Sequence, residues 1–122
     1  MEVQEIPRPR NRAPDVNVKE LADVRRLAEV IVAARRTLPP RRPHIDEQTE
    51  RVRNALRHLD QLHRDSENLA VQGPLLRAFE VIYTPHRPSL LTPDTQAWAY
   101  LCDAAVQFKE LHDLTLRLKE ET

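Results

Sequence analysis

Residues 92–118 read TPDTQAWAYLCDAAVQFKELHDLTLRL, and this stretch decides the fold class. Thr92, Pro93 and Asp94 are a helix start signal: a hydroxyl cap, a proline at the first helical position and a carboxylate in the first turn. Apolar residues then recur in a heptad-like rhythm, which predicts one long helix. Its predicted seam is Ala97, Leu101, Ala104, Phe108 and Leu111, with Trp98 and Ala105 beside it.

Upstream, a first helix is predicted to begin behind Asn17, which with Glu20 forms a capping-box pattern. Its apolar residues recur at three- and four-residue steps up to Leu38, where Pro39 stops the helix. Arg35 and Arg36 would then lie in the last turn of this helix. Its apolar stripe is wide, which suits a helix with more than one neighbour.

A second helix is predicted after a stiff, proline-rich link, with Asp46 as its cap. Asp65 or Ser66 would cap a third helix that runs to Tyr83 and is kinked or broken at Gly73-Pro74. The predicted buried stripe of the second helix is Ile45, Val52, Leu56 and Leu59 with Leu62 or His63, and the apolar set of the third is Leu69, Leu75, Leu76, Phe79, Ile82 and Tyr83.

Gly73 is the single glycine of the chain, so the glycine turns of β-hairpins and phosphate-binding loops are missing. We predict an all-α protein, a compact bundle of four main helices with proline-rich connecting loops, over residues 17–122. Residues 1–16 contain three prolines and little to bury, and we expect a flexible basic arm there.

The composition indicates one soluble globular domain, since 122 residues contain 40% hydrophobic and 31% charged residues. No apolar run reaches the roughly 20 residues of a membrane span, so no membrane partner is expected. Basic residues outnumber acidic ones before residue 45, and Arg35, Arg36, Arg41 and Arg42 are the basic cluster that could contact nucleic acid. Solvation explains these arginines better, because no aromatic residues are interleaved with them.

No pattern in the chain carries catalytic or metal chemistry. The five histidines include no H-x3-H or HExxH pair, so neither a metal nor another cofactor is predicted. Cys102 lies beside Leu101 in the fourth helix, where a small buried hydrophobe is typical. His44 and His86 lie in proline-rich loops and His112 among surface charges, where solvated rings are expected. We therefore predict a protein that is not an enzyme.

The remaining candidates are large side chains at the helix junctions. Leu38, Ile45 and Leu90 are apolar residues placed in or beside predicted loops, where a groove for a partner could form. Tyr83, at the end of the third helix, fits a core position and a recognition surface about equally well. Trp98 fits the core better, because it lies next to the buried seam of the fourth helix.

Six segments resemble the integrase-binding domain of the LEDGF type, a small helical module related to the TFIIS N-terminal domain. They are Ile45-Asp46, RNALRHLDQL at 53–62, Glu67-Asn68-Leu69, Leu75-Leu76, Val81-Ile82-Tyr83, and residues 104–109. The resemblance covers about residues 18–114. It departs from the family in its proline-rich link before Ile45 and in its Gly73-Pro74 pair.

That resemblance implies a cleft at the interhelical loops that binds short linear motifs of disordered chromatin or transcription factors. Its contact residues would fall on Ile45, Asp46 and Tyr83, with Asp46 accepting from partner amides. The implied location is the nucleus, with the cytoplasm as the alternative. A second hypothesis is a structural subunit or dimerisation domain, in which helix one or helix four pairs constitutively with another chain.

Overall fold

A computed structural model describes residues 17–84 and 87–121 of the chain. These residues form four helices and no strand: α1 (Val18–Ala33), α2 (Arg42–Leu62), α3 (Leu69–Tyr83) and α4 (Asp94–Glu121). The predicted all-α fold with four main helices is confirmed. The predicted arm, residues 1–16, and the predicted loop histidine His86 lie outside the described residues.

The longest helix, α4, is the centre of the bundle, because it packs against α1, α2 and α3. Its predicted seam is confirmed as core: Ala97, Leu101, Ala104, Ala105, Phe108 and Leu111 are fully buried, and Trp98 is nearly so. Cys102 is buried in the same helix, and burial raises the pKa of its thiol. The helix faces inferred from periodicity are therefore correct for α4.

Successive helices run in opposite directions, which places their connections at two ends of the bundle. Arg42 at the start of α2 contacts Asp94 at the start of α4, so residues 34–41 and 87–93 meet at one end, here called the loop end. The opposite end, here called the far end, holds the α2–α3 connection and the C-terminal part of α4. Arg25 of α1 pairs with Asp113 of α4 between the two ends.

Helix α1 ends at Ala33, five residues before the predicted end at Leu38. The Asn17 cap is confirmed, since its side chain accepts from the Glu20 amide at 2.8 Å. At the other end the Thr37 amide donates to the Ala34 carbonyl at 2.9 Å and closes a turn. Pro39 favours extended backbone at Leu38, so the chain cannot return to a helix before the prolines. Arg35, Arg36 and Leu38 therefore follow the helix instead of closing it.

Helix α2 begins at Arg42, so the predicted cap at Asp46 is wrong. Pro43 lies in the first turn, where amide hydrogens have no acceptor within the helix. The missing amide hydrogen of proline therefore breaks no helical hydrogen bond. Asp46 is inside the helix, and His44 is in its first turn instead of a loop. The residues predicted to be buried, Ile45, Val52, Leu56 and Leu59, are fully buried. At the end of this stripe the prediction left Leu62 or His63 open, and His63 is the buried one.

Helix α3 is continuous from Leu69 to Tyr83 with Pro74 inside it, so of the predicted kink or break at Gly73-Pro74 the break does not occur and the kink stays a prediction. Its cap is Asn68, whose side chain accepts from the Ala70 amide at 2.9 Å, instead of Asp65 or Ser66. The buried face consists of Val71, Ala78, Val81 and Ile82, whereas Leu69, Leu76, Phe79 and Tyr83 are exposed. Except for Ile82 and the partly buried Leu75, the predicted apolar set therefore faces outward.

Helix α4 begins at Asp94, with the Ala97 amide donating to the Pro93 carbonyl at 3.0 Å. The Thr92 hydroxyl accepts from the Ser89 amide at 2.9 Å, so this side chain closes the preceding turn instead of capping the helix. Asp94 lies in the first turn of the helix, as predicted.

Two histidines are buried near the far end, whereas His112 was expected among surface charges. His112 stacks on Phe108 with 5.2 Å between ring centroids. The Thr115 hydroxyl donates to the Leu111 carbonyl at 2.7 Å, so it accepts from His63 Nε2, also at 2.7 Å. Burial lowers the pKa of both rings from 6.5, and the charge of Arg25 lowers that of His112 further.

The burial of these two histidines predicts that the folded state becomes less stable in acid. Below pH 6.5 the unfolded chain binds protons that the folded chain excludes, so the free energy of unfolding falls as the pH falls. We expect a constant melting temperature above about pH 7 and a decline towards about pH 5. Thermal melts of the wild type and of the double variant His63→Gln, His112→Gln test this, because the variant should have the flatter profile. Equal slopes would contradict the assignment.

Candidate partner-binding cleft

Arg42 ties the two connections of the loop end together. Its Nε donates to the Asp46 carboxylate at 2.8 Å, and its Nη2 donates to the Ser89 carbonyl at 2.6 Å. Its Nη1 donates to the Thr92 carbonyl and lies 3.4 Å from Asp94. The bond to Asp46 is the main reason that the pKa of Arg42 is raised. One side chain therefore positions the loop before α4 against the start of α2.

An open cleft of about 590 Å³ lies between α2 and this loop, and we call it the loop-end cleft. It is lined by Arg42, Asp46, Thr49, Glu50, Arg53 and Arg57 of α2 and by Arg87, Pro88, Ser89 and Leu90 of the loop. The α2 residues recur at three- and four-residue steps, so they share one face of the helix. The cleft is therefore built by a polar stripe beside the buried stripe of α2.

The cleft is cationic, because it contains four arginines and only two carboxylates, Asp46 and Glu50. Arg53 donates to the Ile82 carbonyl at 2.9 Å and lies 3.9 Å from Glu50. Arg57 and Arg87 form no ion pair with any described residue. The buried Nε atoms of Arg53 and Arg57 likewise have no hydrogen-bond partner within the described residues. Those Nε atoms are too buried to meet a ligand, so Arg57 and Arg87 offer an incoming carboxylate their terminal guanidinium nitrogens.

Large apolar side chains are exposed on both connections of the loop end. Leu90 is 98% exposed and Leu91 is 94% exposed on the loop before α4, and Leu38 is 90% exposed on the α1–α2 connection. Single exposed leucines are ordinary on protein surfaces, but leucines on two adjoining connections form a surface typical of interaction sites. The loop end therefore combines apolar side chains with a cationic cleft.

The structure brings together part of the predicted site. Asp46 and Leu90 line the cleft, and Leu38 lies on the adjoining connection. Ile45 is fully buried, because the early start of α2 turns it towards the core, so its predicted contact role is wrong. Tyr83 does not line the cleft; it is 46% exposed on the outer side of α3 and packs on Phe79 at 4.6 Å between ring centroids.

The predicted basic cluster is split by the fold. Arg35, Arg36 and Arg41 are exposed on the α1–α2 connection. The Arg42 side chain is held by protein acceptors and is only 20% exposed. It therefore positions a loop and does not act as a surface cation.

Three cationic residues of the cleft, Arg53, Arg57 and Arg87, were not among the predicted site residues. A signal for the first two exists, since they continue the polar stripe that begins at Arg42 and Asp46 with helical spacing. Arg87 carries no such signal, because only the folding of its loop against α2 brings it to the cleft.

No group of three or more His, Cys, Asp or Glu side chains in residues 17–84 and 87–121 is placed to hold a metal ion. None of the helices in those ranges combines the length and apolar character needed to cross a bilayer. Comparisons with protein-family models, curated proteins and solved structures give no match for this chain. We therefore infer function from the cleft and the surfaces around it.

Proposed function

We propose that this chain is a protein-interaction domain that binds a short linear segment of a disordered partner in the loop-end cleft. The observation that carries the proposal is the 98% exposure of Leu90 in a cleft with a formal excess of arginine, with Leu38 and Leu91, each 90% or more exposed, on the connections of the same end. Extended segments bind such sites through a few apolar anchors and flanking polar contacts. The sequence resemblance described above supports a chromatin or transcription factor as the partner, and hence a nuclear location.

The charge of the cleft indicates the chemistry of the partner segment. Arg57 and Arg87 lack carboxylate partners among the described residues, so acidic side chains in the segment would form charge-assisted hydrogen bonds there. Apolar side chains of the same segment would pack on the exposed leucines. The expected ligand is therefore a segment that combines apolar anchors with acidic residues.

Asp46 supplies the acceptor for partner amides in this proposal. Its Oδ1 accepts from Arg42, and the side chain is still 52% exposed, so Oδ2 faces an approaching chain. Because Asp46 is not a helix cap, Asp46→Asn should have little effect on folding. The asparagine removes the charge that strengthens bonds to backbone donors, so partner affinity should fall.

The test begins with a displayed library of disordered segments selected on the immobilised domain. We expect the selected peptides to be apolar and acidic. Leu90→Ala and Arg57→Gln should each weaken the binding of such a peptide at least tenfold, equivalent to about 1.4 kcal/mol. Their melting temperatures should stay close to the wild-type value, since Leu90 is almost fully exposed and Arg57 makes no ion pair with described residues.

Leu62→Ala is the matched control, because Leu62 is a 59% exposed leucine at the far end. This variant should bind the selected peptide as tightly as the wild type. Equal affinities for the wild type, Leu90→Ala and Arg57→Gln would overturn the assignment of the cleft. A selection that enriches basic peptides would overturn the charge argument.

A further inference from the structure

Helix α3 has a second apolar face, which nothing in residues 17–84 and 87–121 covers. Four large side chains on it are exposed: Leu69 (86%), Leu76 (61%), Phe79 (52%) and Tyr83 (46%). We call this the outer face of α3, consisting of Leu69, Gln72, Gly73, Leu76, Phe79, Glu80 and Tyr83, all exposed. A helix that is apolar on opposite sides is typical of one with neighbours on both. The outer face is separate from the loop-end cleft, which no residue of α3 lines.

Gly73 forms a notch in this face. Its backbone φ is not positive, so the conformation does not demand glycine. Apart from its chain neighbours and the backbone of α3, a Cβ atom added there would meet the end of the Arg77 side chain, at an ordinary 3.6 Å. Gly73 precedes Pro74 inside the helix, where a side chain would crowd the proline ring, so glycine has a reason within one chain. It also leaves room for the close approach of a second surface.

Residues at equal distances on either side of Leu76 in the outer face are complementary in size, small against large. Leu69 and Tyr83 lie seven residues on either side of it, Gly73 and Phe79 three residues, and Gln72 and Glu80 four residues. We propose that two copies of this chain pair through the outer faces of α3, antiparallel, about a two-fold axis at Leu76. Each large side chain then faces a complementary one, and the Phe79 ring of one copy fills the Gly73 notch of the other.

Charge favours a second copy in this orientation. Glu80 is the single charged residue among the seven that define the outer face, and the exposed Arg77 lies at its edge beside Gly73. Antiparallel pairing places Glu80 opposite Gln72, whose amide can donate to a carboxylate. Parallel pairing in register would place Glu80 against Glu80 and Gly73 against Gly73, with repulsion and a void. The face is therefore self-complementary in one orientation only, as an isologous interface requires.

The apolar area is sufficient for a weak dimer. An aromatic side chain can bury about 150–250 Å², so four large side chains at the observed exposures offer roughly 500 Å² per copy. Two copies would bury roughly 1,000 Å², the lower limit for a specific interface. We therefore expect a reversible dimer in the micromolar range.

Sedimentation equilibrium of the whole chain over a range of concentrations tests the proposal. The wild type should show a monomer–dimer equilibrium, and Leu76→Asp, which places two carboxylates at the axis, should weaken it more than tenfold. Leu62→Asp is the matched control, because it adds the same charge at a leucine of similar exposure on α2. A chain that remains monomeric at all concentrations, or a dimer equally weakened by both variants, would overturn the proposal.

Gly73→Gln, made together with Pro74→Ala so that no side chain precedes a helical proline, separates loss of the interface from loss of the fold. Glutamine is a better helix former than glycine, so the melting temperature of the monomer should rise above that of Pro74→Ala alone. The same side chain fills the notch, so the dimer should weaken at least tenfold. A variant that is both more stable and equally dimeric would show that the notch has no role in pairing.

Cross-linking tests the register. A short bis-maleimide should join Leu76→Cys to itself, because the two positions meet at the axis. Leu69→Cys should not cross-link to itself but should cross-link to Tyr83→Cys when the two variants are mixed. The unmodified chain is the background control, since Cys102 is buried. Cross-linking of Leu69→Cys to itself would indicate parallel pairing and contradict the proposal.

Discussion

Phe108→Ala is expected to destabilise the fold by about 3–5 kcal/mol, the range for truncating a buried aromatic side chain. Phe108 is fully buried in α4, the helix that contacts all three others, so the cavity would lie at the centre of the bundle. The change also removes the ring on which His112 stacks. Because small domains are stable by only about 5–15 kcal/mol, this loss should lower the denaturation midpoint strongly. Urea unfolding followed by far-UV circular dichroism measures it.

Leu116→Ala is the control for this experiment, because Leu116 lies on the same helix but is 47% exposed. Its cost should stay below about 1 kcal/mol, as for most surface substitutions. Leu56→Ala and Leu101→Ala, both at fully buried positions, should cost about 2–5 kcal/mol, well above this control. Similar costs for Phe108→Ala and Leu116→Ala would show that the core is not centred on α4.

Pro74→Ala is expected to stabilise the chain by up to about 3 kcal/mol, the difference between the two residues in a helix interior. Pro74 lies inside α3, where it lacks the amide hydrogen that would bond to the Ala70 carbonyl and crowds that carbonyl. Alanine restores the bond without adding bulk. Thermal and urea unfolding should both show the gain, measured in the Leu76→Asp background so that self-association does not contribute.

Pro43→Ala is the matched control, since Pro43 is also helical but lies in the first turn of α2. No helical hydrogen bond is missing there, and the loss of proline rigidity should change stability by less than about 1 kcal/mol. A gain at position 43 as large as that at 74 would contradict this explanation. A loss of stability on Pro74→Ala would show that the proline has a role in packing.

The candidate site was only partly predictable, and the reason lies in where α2 begins. The sequence pattern placed Ile45 and Asp46 together at a junction, but the helix starts at Arg42. Neighbouring residues in a helix point about 100° apart, so Asp46 lies on the surface while Ile45 lies in the core. The exposure of Leu90 could be predicted without knowing where α2 begins, because a leucine in a short polar connection has little core within reach.

The exposed face of α3 shows the limit of periodicity. This helix is apolar on two sides. The spacing of Leu69, Leu76, Phe79 and Tyr83 therefore fits a buried helix face as well as the spacing of the residues that are in fact buried. Packing against α2 and α4 decided between them, because only the side with Val71, Ala78 and Ile82 meets the core. The same choice left Gly73 and the rest of the outer face exposed.

Local patterns in the chain specified the number and type of the helices, the Asn17 cap and the buried seam of α4, because each depends on residues within a few turns of one another. The meeting of the two connections at the loop end, the Arg42 contacts across it, the cationic cleft and the exposed side of α3 depend on residues far apart in the sequence. Those features are set by which helix faces bury the most apolar surface together. That choice is made by the whole bundle, since no single helix determines where its neighbours pack.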